Sequence, residues 1–475
     1  MILSVDLGTS ATKAVLWSRQ GPVGFGRSEV LTRHPEPGRA EQDPGDWLPS
    51  ITDAVVACRD LAGQRAWRDV EALVFSSARE TFVPVRRDGS PIGPALVWSD
   101  RRANAEAAAL ASDDTFTRAT GVLPDAGTTV AKLRWLDTHE PKRLRDAAWV
   151  LAPRDFVVLQ LTGVASTDPT LASRTGCYDI DGVTPTAFAD VLPPVLPSTD
   201  VVGDVSGTTA DALALPHGVP VVIGAGDRAC EVLGTGASMS VPMVSWGTTA
   251  NVSVPVDASP ERRPPGFALS RGALGGHVLE AGLSAAGAAV EWLSRLTGST
   301  VLQLADQAAT SPAGARGVIA LPWLNGARAP WWQPGARATF ANLTAAHDAG
   351  DLARAVWEAV ADDVARCVER LDGAVEGVVA AGGGVAGPLW LEVLSAATGG
   401  PVTLRRSGEA ASAGACRVAA VALGQDDNWP LDAINPVTAR VRPDPDLAAR
   451  ARDRRPLVDR VAATMARLDL SEWNV

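Results

Sequence analysis

Lysine is nearly missing from this chain: Lys13, Lys132 and Lys142 are the only three in 475 residues. Arginine carries almost all the positive charge, a bias of codon usage rather than chemistry, so a lysine inside a motif, as Lys13 is, stands out. Cysteine is also scarce. The five (Cys58, Cys177, Cys230, Cys367 and Cys416) are odd in number, widely spaced and form no CxxC. That argues against a disulfide framework or a zinc site and suits reduced thiols in a cytoplasmic protein. The five histidines are scattered and offer no metal cluster. No uninterrupted apolar stretch approaches the roughly 20 residues of a membrane helix. The N-terminus enters a strand at once, without a charged segment and apolar run, so no signal peptide is expected. Positive charge is in deficit: 43 Lys+Arg stand against 54 Asp+Glu, a net charge of −11, which repels nucleic acid and anionic membrane. The remainder, 46% hydrophobic and 20% charged, is an ordinary globular composition. The length is too great for one compact core and predicts two domains, 1–239 and 240–475.

What the chain does contain is a pair of similar turns half a chain apart. Asp6-Leu7-Gly8-Thr9-Ser10 lies between the apolar runs 2–5 and 14–17, and Ser245-Trp246-Gly247-Thr248-Thr249 is again flanked by apolar residues. Each reads strand, Gly-Thr-Ser/Thr turn, strand. Glycine lets the backbone approach a phosphate closely, and the hydroxyls beside it donate to phosphate oxygens. One such hairpin is commonplace. Two, at equivalent places in halves of similar length, predict a duplicated domain closing on one polyphosphate.

Strand and helix signals alternate around these turns. Asp43-Pro44 reads as an N-cap and first helical position, with Trp47, Ile51, Val55 and Leu61 at helical spacing behind it. Residues 74–76 and 82–85 read as strands, and Asp88-Gly89 as a hairpin turn before 95–98. Residues 219–223 form a short strand running into the turn Gly224-Ala225-Gly226-Asp227. In the second half, spacing predicts a long amphipathic helix over 351–371, with Leu352, Val356, Val360, Val364 and Leu371 on its apolar stripe. A strand at 377–380, the run Gly382-Gly383-Gly384 and a helix over 388–398 follow. Strand, glycine turn and helix suit nucleotide contact, because a helix N-terminus presents free N–H groups. The proline- and arginine-rich tail after about Asn428 reads as a peripheral closing segment.

In this order the motifs resemble those of the FGGY family of carbohydrate kinases. DLGTSATK at 6–13 is similar to the family's first phosphate motif, EQDPGDW at 41–47 to its early helix start, and VWSDRR at 97–102 to the block after a sugar-facing segment, Ser77-Ala78-Arg79-Glu80-Thr81. GAGDRA at 224–229 resembles the catalytic turn and SWGTT at 245–249 the second phosphate motif. AAGAAVEWL at 285–293, LPWLNGARAP at 321–330 and AAGGGVAGPLW at 380–390 resemble further family blocks. The resemblance covers the chain from Asp6 to about Gly424. It implies an α/β protein with the duplicated actin/hexokinase-like (ribonuclease H-like) fold, two domains around a central cleft, using ATP and Mg²⁺ on a small sugar or polyol.

Phosphoryl transfer to an alcohol needs an in-line triphosphate, charge neutralisation and a group that accepts the hydroxyl proton. By position alone Asp227 could equally cap the following helix; the resemblance makes it the general base. Asp6 is implied as the Mg²⁺ ligand, and Thr9, Ser10, Gly247 and Thr248 as the phosphate cradle. Lys13 reads either as a phosphate contact or as an exposed strand lysine. Gly287, Glu291, Gly383 and Gly384 are implied at the nucleotide, and Gly387, where relatives often carry a polar residue, leaves adenine selectivity open.

Arg79-Glu80-Thr81 matches glycerol kinases, where xylulokinases usually carry Met-His. Adjacent guanidinium and carboxylate groups make a fork suited to neighbouring hydroxyls. The glycerol-kinase tyrosine, however, is answered here by Gly127, and Arg228 replaces a glutamine after the catalytic aspartate. An extra arginine at the acceptor favours a more oxygenated substrate, and the 167–176 region resembles xylulokinase-type members. The expected acceptor is therefore a pentulose such as xylulose or a related polyol, with glycerol or a gluconate-type sugar acid as alternatives. An actin- or chaperone-like ATPase is disfavoured by Asp227 and the Arg79-Glu80 pair, and a non-catalytic sugar sensor by the retention of Asp6, Asp227 and both turns. A homodimer is expected by analogy with relatives.

Overall fold

The computed structural model describes residues 1–205, 207–324, 326–333 and 335–468. Asn325 of the LPWLNGARAP block and the last seven residues of the tail lie outside the described residues.

Residues of the first half build a six-stranded sheet. Its strands are β1 (Ile2–Leu7), β2 (Ala11–Ser18), β3 (Gly21–Glu29), β4 (Ala72–Ser77), β5 (Val201–Val205) and β6 (Val219–Gly226), in the order β3-β2-β1-β4-β6-β5. β1 runs antiparallel to β2 and parallel to β4, and β4 is parallel to β6. The central strands are apolar on both faces, as a covered parallel sheet requires. One face is closed by α1 (Trp47–Ala62). Asp43 caps a short 3₁₀ turn at Pro44 by accepting from Gly45 N, and α1 continues from it. Trp47, Ile51, Val55 and Cys58 face the sheet, whereas Leu61, at 68% exposure, has turned out to solvent in the last turn. The 219–223 strand runs further than its apolar run suggests. It reaches Gly226, and α2 (Asp227–Thr235) starts at Asp227 itself.

The second half repeats the plan. β7 (Met243–Trp246), β8 (Ala250–Val256), β9 (Ala268–Arg271), β10 (His277–Gly282), β11 (Val378–Ala381), β12 (Val402–Arg405) and β13 (Val437–Val441) form a seven-stranded sheet, order β9-β10-β8-β7-β11-β12-β13. Its inner five strands, β10-β8-β7-β11-β12, match β3-β2-β1-β4-β6 in order and in parallel or antiparallel sense. Each half therefore places a hairpin turn beside the carboxyl ends of parallel strands, where open α/β sheets bind ligands. The helices here include α3 (Gly287–Thr297), α4 (Ala349–Val368), α5 (Pro388–Thr398), α6 (Ala410–Ala422) and α7 (Pro445–Ala466).

Two features depart from the sequence pattern. α4 is buried around its whole circumference, charged residues included. Arg354 pairs with Glu358 at 2.8 Å, Arg454 of α7 holds Glu358 and Asp362, and Arg366 reaches Asp459 of α7 at 2.7 Å. The tail after Asn428 is thus more than a peripheral closure, because it supplies the edge strand β13 and the helix whose charges neutralise α4.

α6, from the second half, covers the other face of the first sheet beside α2. Ile2, Trp17, Val74 and Val222 share one core with Ala413, Cys416, Val418 and Trp429. Ser4 and Ser412 hydrogen-bond there, and Trp17 Nε1 donates to both at 2.9 Å. α2 and α6 touch backbone to backbone: a Cβ on Gly414 would lie 1.9 Å from the Cys230 carbonyl oxygen. All five cysteines are buried and free. Among the described residues no helix is long and apolar enough to cross a membrane.

Candidate active site

The three central strands of the first sheet deliver the chemistry. Asp6 on β1 registers with Ser76 on β4 and Lys13 on β2, and Ala225 on β6 registers with Ser76. Ser76 Oγ donates to Asp6 Oδ1 at 2.7 Å. Burial, helped by the charge of Asp227, pushes the Asp6 carboxyl from 3.8 up to about 6 against that hydrogen bond. Lys13 does not stand free on its strand: its Nζ donates to Glu409 of the second half at 2.8 Å.

Asp227 is the first residue of α2, and Gly226 rather than Asp227 occupies the N-cap position. Two glycines put it there. Gly224, at φ +78°, lets β6 bulge where a Cβ would strike the Phe75 carbonyl oxygen at 1.8 Å. Gly226 leaves room for Arg79, whose Cδ would lie 2.9 Å from a Cβ. A buried network braces this bend. Arg154 donates to the carbonyls of Ile223 (3.3 Å) and Gly224 (2.9 Å) and pairs with Asp155 and Asp168. Thr170 Oγ1, bonded to Asp168, accepts from Gly226 N at 2.7 Å. Sequence reasoning missed Arg154, Asp168 and Thr170; an arginine and an aspartate among apolar residues was the available signal.

Arg79 and Glu80, neighbours in sequence, have different partners. Arg79 donates from both terminal nitrogens to Glu280 of β10, at 2.7 Å each, and its Nε lies 3.2 Å from Asp227 Oδ1. Glu80, in the left-handed region at φ +65°, is paired with Arg174 at 3.2 Å. Lys132 Nζ, fully buried, donates to the Glu80 carbonyl at 2.7 Å and to that of Val97 at 2.9 Å. Burial drops its pKa to about 7. Arg228 turns toward the second hairpin: its guanidinium holds Glu231 and Ser245 Oγ, both at 2.5 Å. Gly127 has no room for any side chain, since a Cβ would sit 2.1 Å from the Trp98 carbonyl oxygen.

The two turns are held from beneath. Gln42 donates to the Thr9 carbonyl at 2.7 Å, and Trp98 Nε1 to Thr9 Oγ1 at 2.8 Å, while Ser10 is exposed. In the second turn, the Gly247 and Thr248 carbonyls accept from the N–H groups of Gly287 and of Ala286 and Ala288, so the start of α3 buttresses the turn. Gly384 packs flat on Trp246, where a Cβ would come within 2.3 Å of the ring. Gly383 lies beside it in the 3₁₀ turn Gly383–Ala386, and Glu291 is exposed on α3. Next to the glycine run is a cavity of about 200 Å³, lined among others by Ala381, Val385, Leu404, Arg405 and Thr438.

A duplicated α/β scaffold with a glycine-threonine hairpin in each sheet and a carboxylate just after β6 suits phosphoryl transfer to an alcohol. The comparisons agree and are narrower. Residues 1–234 match the N-terminal domain of the FGGY family of carbohydrate kinases, and 243–423 its C-terminal domain. The chain belongs to this family and is a carbohydrate kinase, a membership that carries the use of ATP. It is 31% identical over 446 residues to the xylulose kinase of Escherichia coli (strain K12), covering 89% of this chain and 90% of that one. A glycerol kinase of Alkalilimnicola ehrlichii is 30% identical over 454 residues, 89% and 90% of the two chains. The crystal structure of xylulose kinase from Rhodospirillum rubrum has a TM-score of 0.85 at 27% identity, covering 98% of this chain and 99% of that one.

Proposed function

We propose that this kinase transfers the terminal phosphoryl group of ATP to a hydroxyl of a pentulose such as xylulose, or of a related polyol, with Asp227 as general base. The observation that carries this reading is the seat of Asp227. It is 39% exposed at the carboxyl end of β6, oriented by Arg79 and close enough to Asp6 to perturb it. Asp227 takes the hydroxyl proton while the oxygen attacks the terminal phosphorus, and the bond to the bridging oxygen breaks to release ADP. Thr9, Ser10, Gly247 and Thr248 cradle the phosphates. The cavity beside Gly383 and Gly384 receives the nucleoside. The two functional units divide at 239/240, and closure between them excludes water that would otherwise be phosphorylated.

Asp6 suits Mg²⁺. Its Oδ1 accepts from Ser76, leaving Oδ2 for an ion, and the neighbouring Lys13 is engaged by Glu409. Among the described residues no three potential ligands cluster, in keeping with an ion held mainly by water and phosphate oxygens around one carboxylate. When bound, the ion offsets phosphate charge.

The relatives' names support a pentulose, and the closed Gly127 position supports an acceptor site built without the glycerol-kinase tyrosine. Arg79-Glu80-Thr81 and the 30% identical glycerol kinase keep glycerol in the test. That test is ADP release with pentuloses, hexuloses, glycerol, longer polyols and aldonates, with Asp227→Asn in parallel. Turnover is expected on a pentulose and loss of at least 10³-fold in the variant. Wild-type turnover in Asp227→Asn would remove the base; a preference for glycerol or gluconate would change the acceptor.

A further inference from the structure

We infer that Glu280 is a positioning residue for phosphoryl transfer, holding the two terminal nitrogens of Arg79 from the opposite half of the molecule so that Arg79 turns Nε, and not its terminal pair, to Asp227. The inference rests on the reading of Asp227 as the base.

Glu280 lies mid-strand on β10 of the second sheet and is 5% exposed. Its two oxygens accept from the two terminal nitrogens of Arg79, 201 residues earlier, and Ser270 of β9 donates to Oε1. Burial by itself would raise this carboxyl; the Arg79 guanidinium reverses that and holds it well below the ordinary carboxylate range. A guanidinium is planar and rigid, so fixing its terminal edge aims Nε. In this structure Nε faces Asp227 at 3.2 Å.

The consequence is chemical. An arginine free to choose would offer a carboxylate its two-pronged edge, the strongest pairing available. On Asp227 that would cover both oxygens and favour the anion over the protonated form, the opposite of what a proton acceptor needs. Glu280 takes the two-pronged edge instead, and Asp227 keeps exposed surface for the acceptor hydroxyl. Because Arg79 follows β4 and Glu280 lies on β10, the orientation is complete only when the two halves are seated together. A buried ion pair adds little net stability compared with apolar packing, so orientation explains this one better than stability does.

Steady-state kinetics of the full chain test this, using the best acceptor of the panel. Glu280→Gln should lower kcat about 10²-fold, the cost of misplacing a reacting group by about 1 Å, with KM for ATP within twofold of wild type. Glu280→Asp, which restores the charge, should recover at least tenfold of that loss. The inference is overturned if Glu280→Gln turns over within threefold of wild type, or if Glu280→Asp is no better than Glu280→Gln. It is also overturned if kcat falls, both KM values rise and the thermal midpoint drops together, as for mere loss of structure. Inactive Asp227→Asn beside active Glu280→Gln removes Glu280 alone. Active Asp227→Asn removes the base and this inference with it.

Discussion

Replacing Arg154 with methionine tests whether the strand end beneath Asp227 is held by charge or by packing. Arg154 is fully buried, and its guanidinium lies 2.7 Å from Asp155 and 2.9 Å from Asp168 while donating to the carbonyls of Ile223 and Gly224. Methionine fills similar space without the charge. Two buried carboxylates then lose their cation, and removing one partner of a buried pair costs about 3–5 kcal/mol. Single domains have only about 5–15 kcal/mol in total. The carbonyls of Ile223 and Gly224 lose a donor as well, at about 1–3 kcal/mol for a buried group left unpaired, while Asp155 can relieve its own part by taking a proton. Burial already raises the Asp155 pKa against the pull of Arg154, and without that pull it rises further. An acid whose folded pKa exceeds its unfolded value loses stability as pH climbs between the two. The deficit of Arg154→Met should therefore be smallest near pH 4 and largest above neutrality. Urea unfolding followed by tryptophan fluorescence at several pH values measures it, and kcat should fall alongside as Gly224 and Gly226 relax. A variant within about 1 kcal/mol of wild type at pH 8, with unchanged turnover, would refute the reasoning.

Gly414→Ala drives a methyl against the Cys230 carbonyl, a backbone atom that no rotamer change can move. It should cost about 1–3 kcal/mol by overpacking and reduce kcat, since α2 carries Asp227; an unfolding curve matching wild type would contradict this. Asp363 is buried beside Trp331 and Arg366, and burial pushes its pKa from 3.8 to about 6. Its folded pKa is the higher one, so its contribution is fully present below pH 3.8 and lost through pH 6. The loss is about 3 kcal/mol for a two-unit shift. Wild type should lose stability relative to Asp363→Asn over that window, and parallel pH profiles of the two would rule it out.

How far the sequence could be read depended on the reach of each signal. The Asp6–Ser10 and Ser245–Thr249 hairpins, and the glycines before Asp227, are local patterns, and they sit at the ends of the strands that the apolar runs indicated. Leu61 misled because helical spacing does not say where the sheet beneath α1 ends. α4 read as one-sided because its charged face is neutralised by Arg454 and Asp459, nearly a hundred residues later. Arg79 and Glu80 read as one fork because they are neighbours in sequence, yet in the bend after β4, with Glu80 at φ +65°, their side chains pair with Glu280 and Arg174.

By itself, then, the order of residues determined the duplicated strand-turn-strand plan and the groups capable of chemistry, since backbone conformation and hydrogen-bonding capacity are set within a few residues. Tertiary structure alone decided which buried charge faces which. An arginine's partner is chosen by desolvation, and a carboxylate two hundred residues away becomes its neighbour only when two sheets have packed and shut water out.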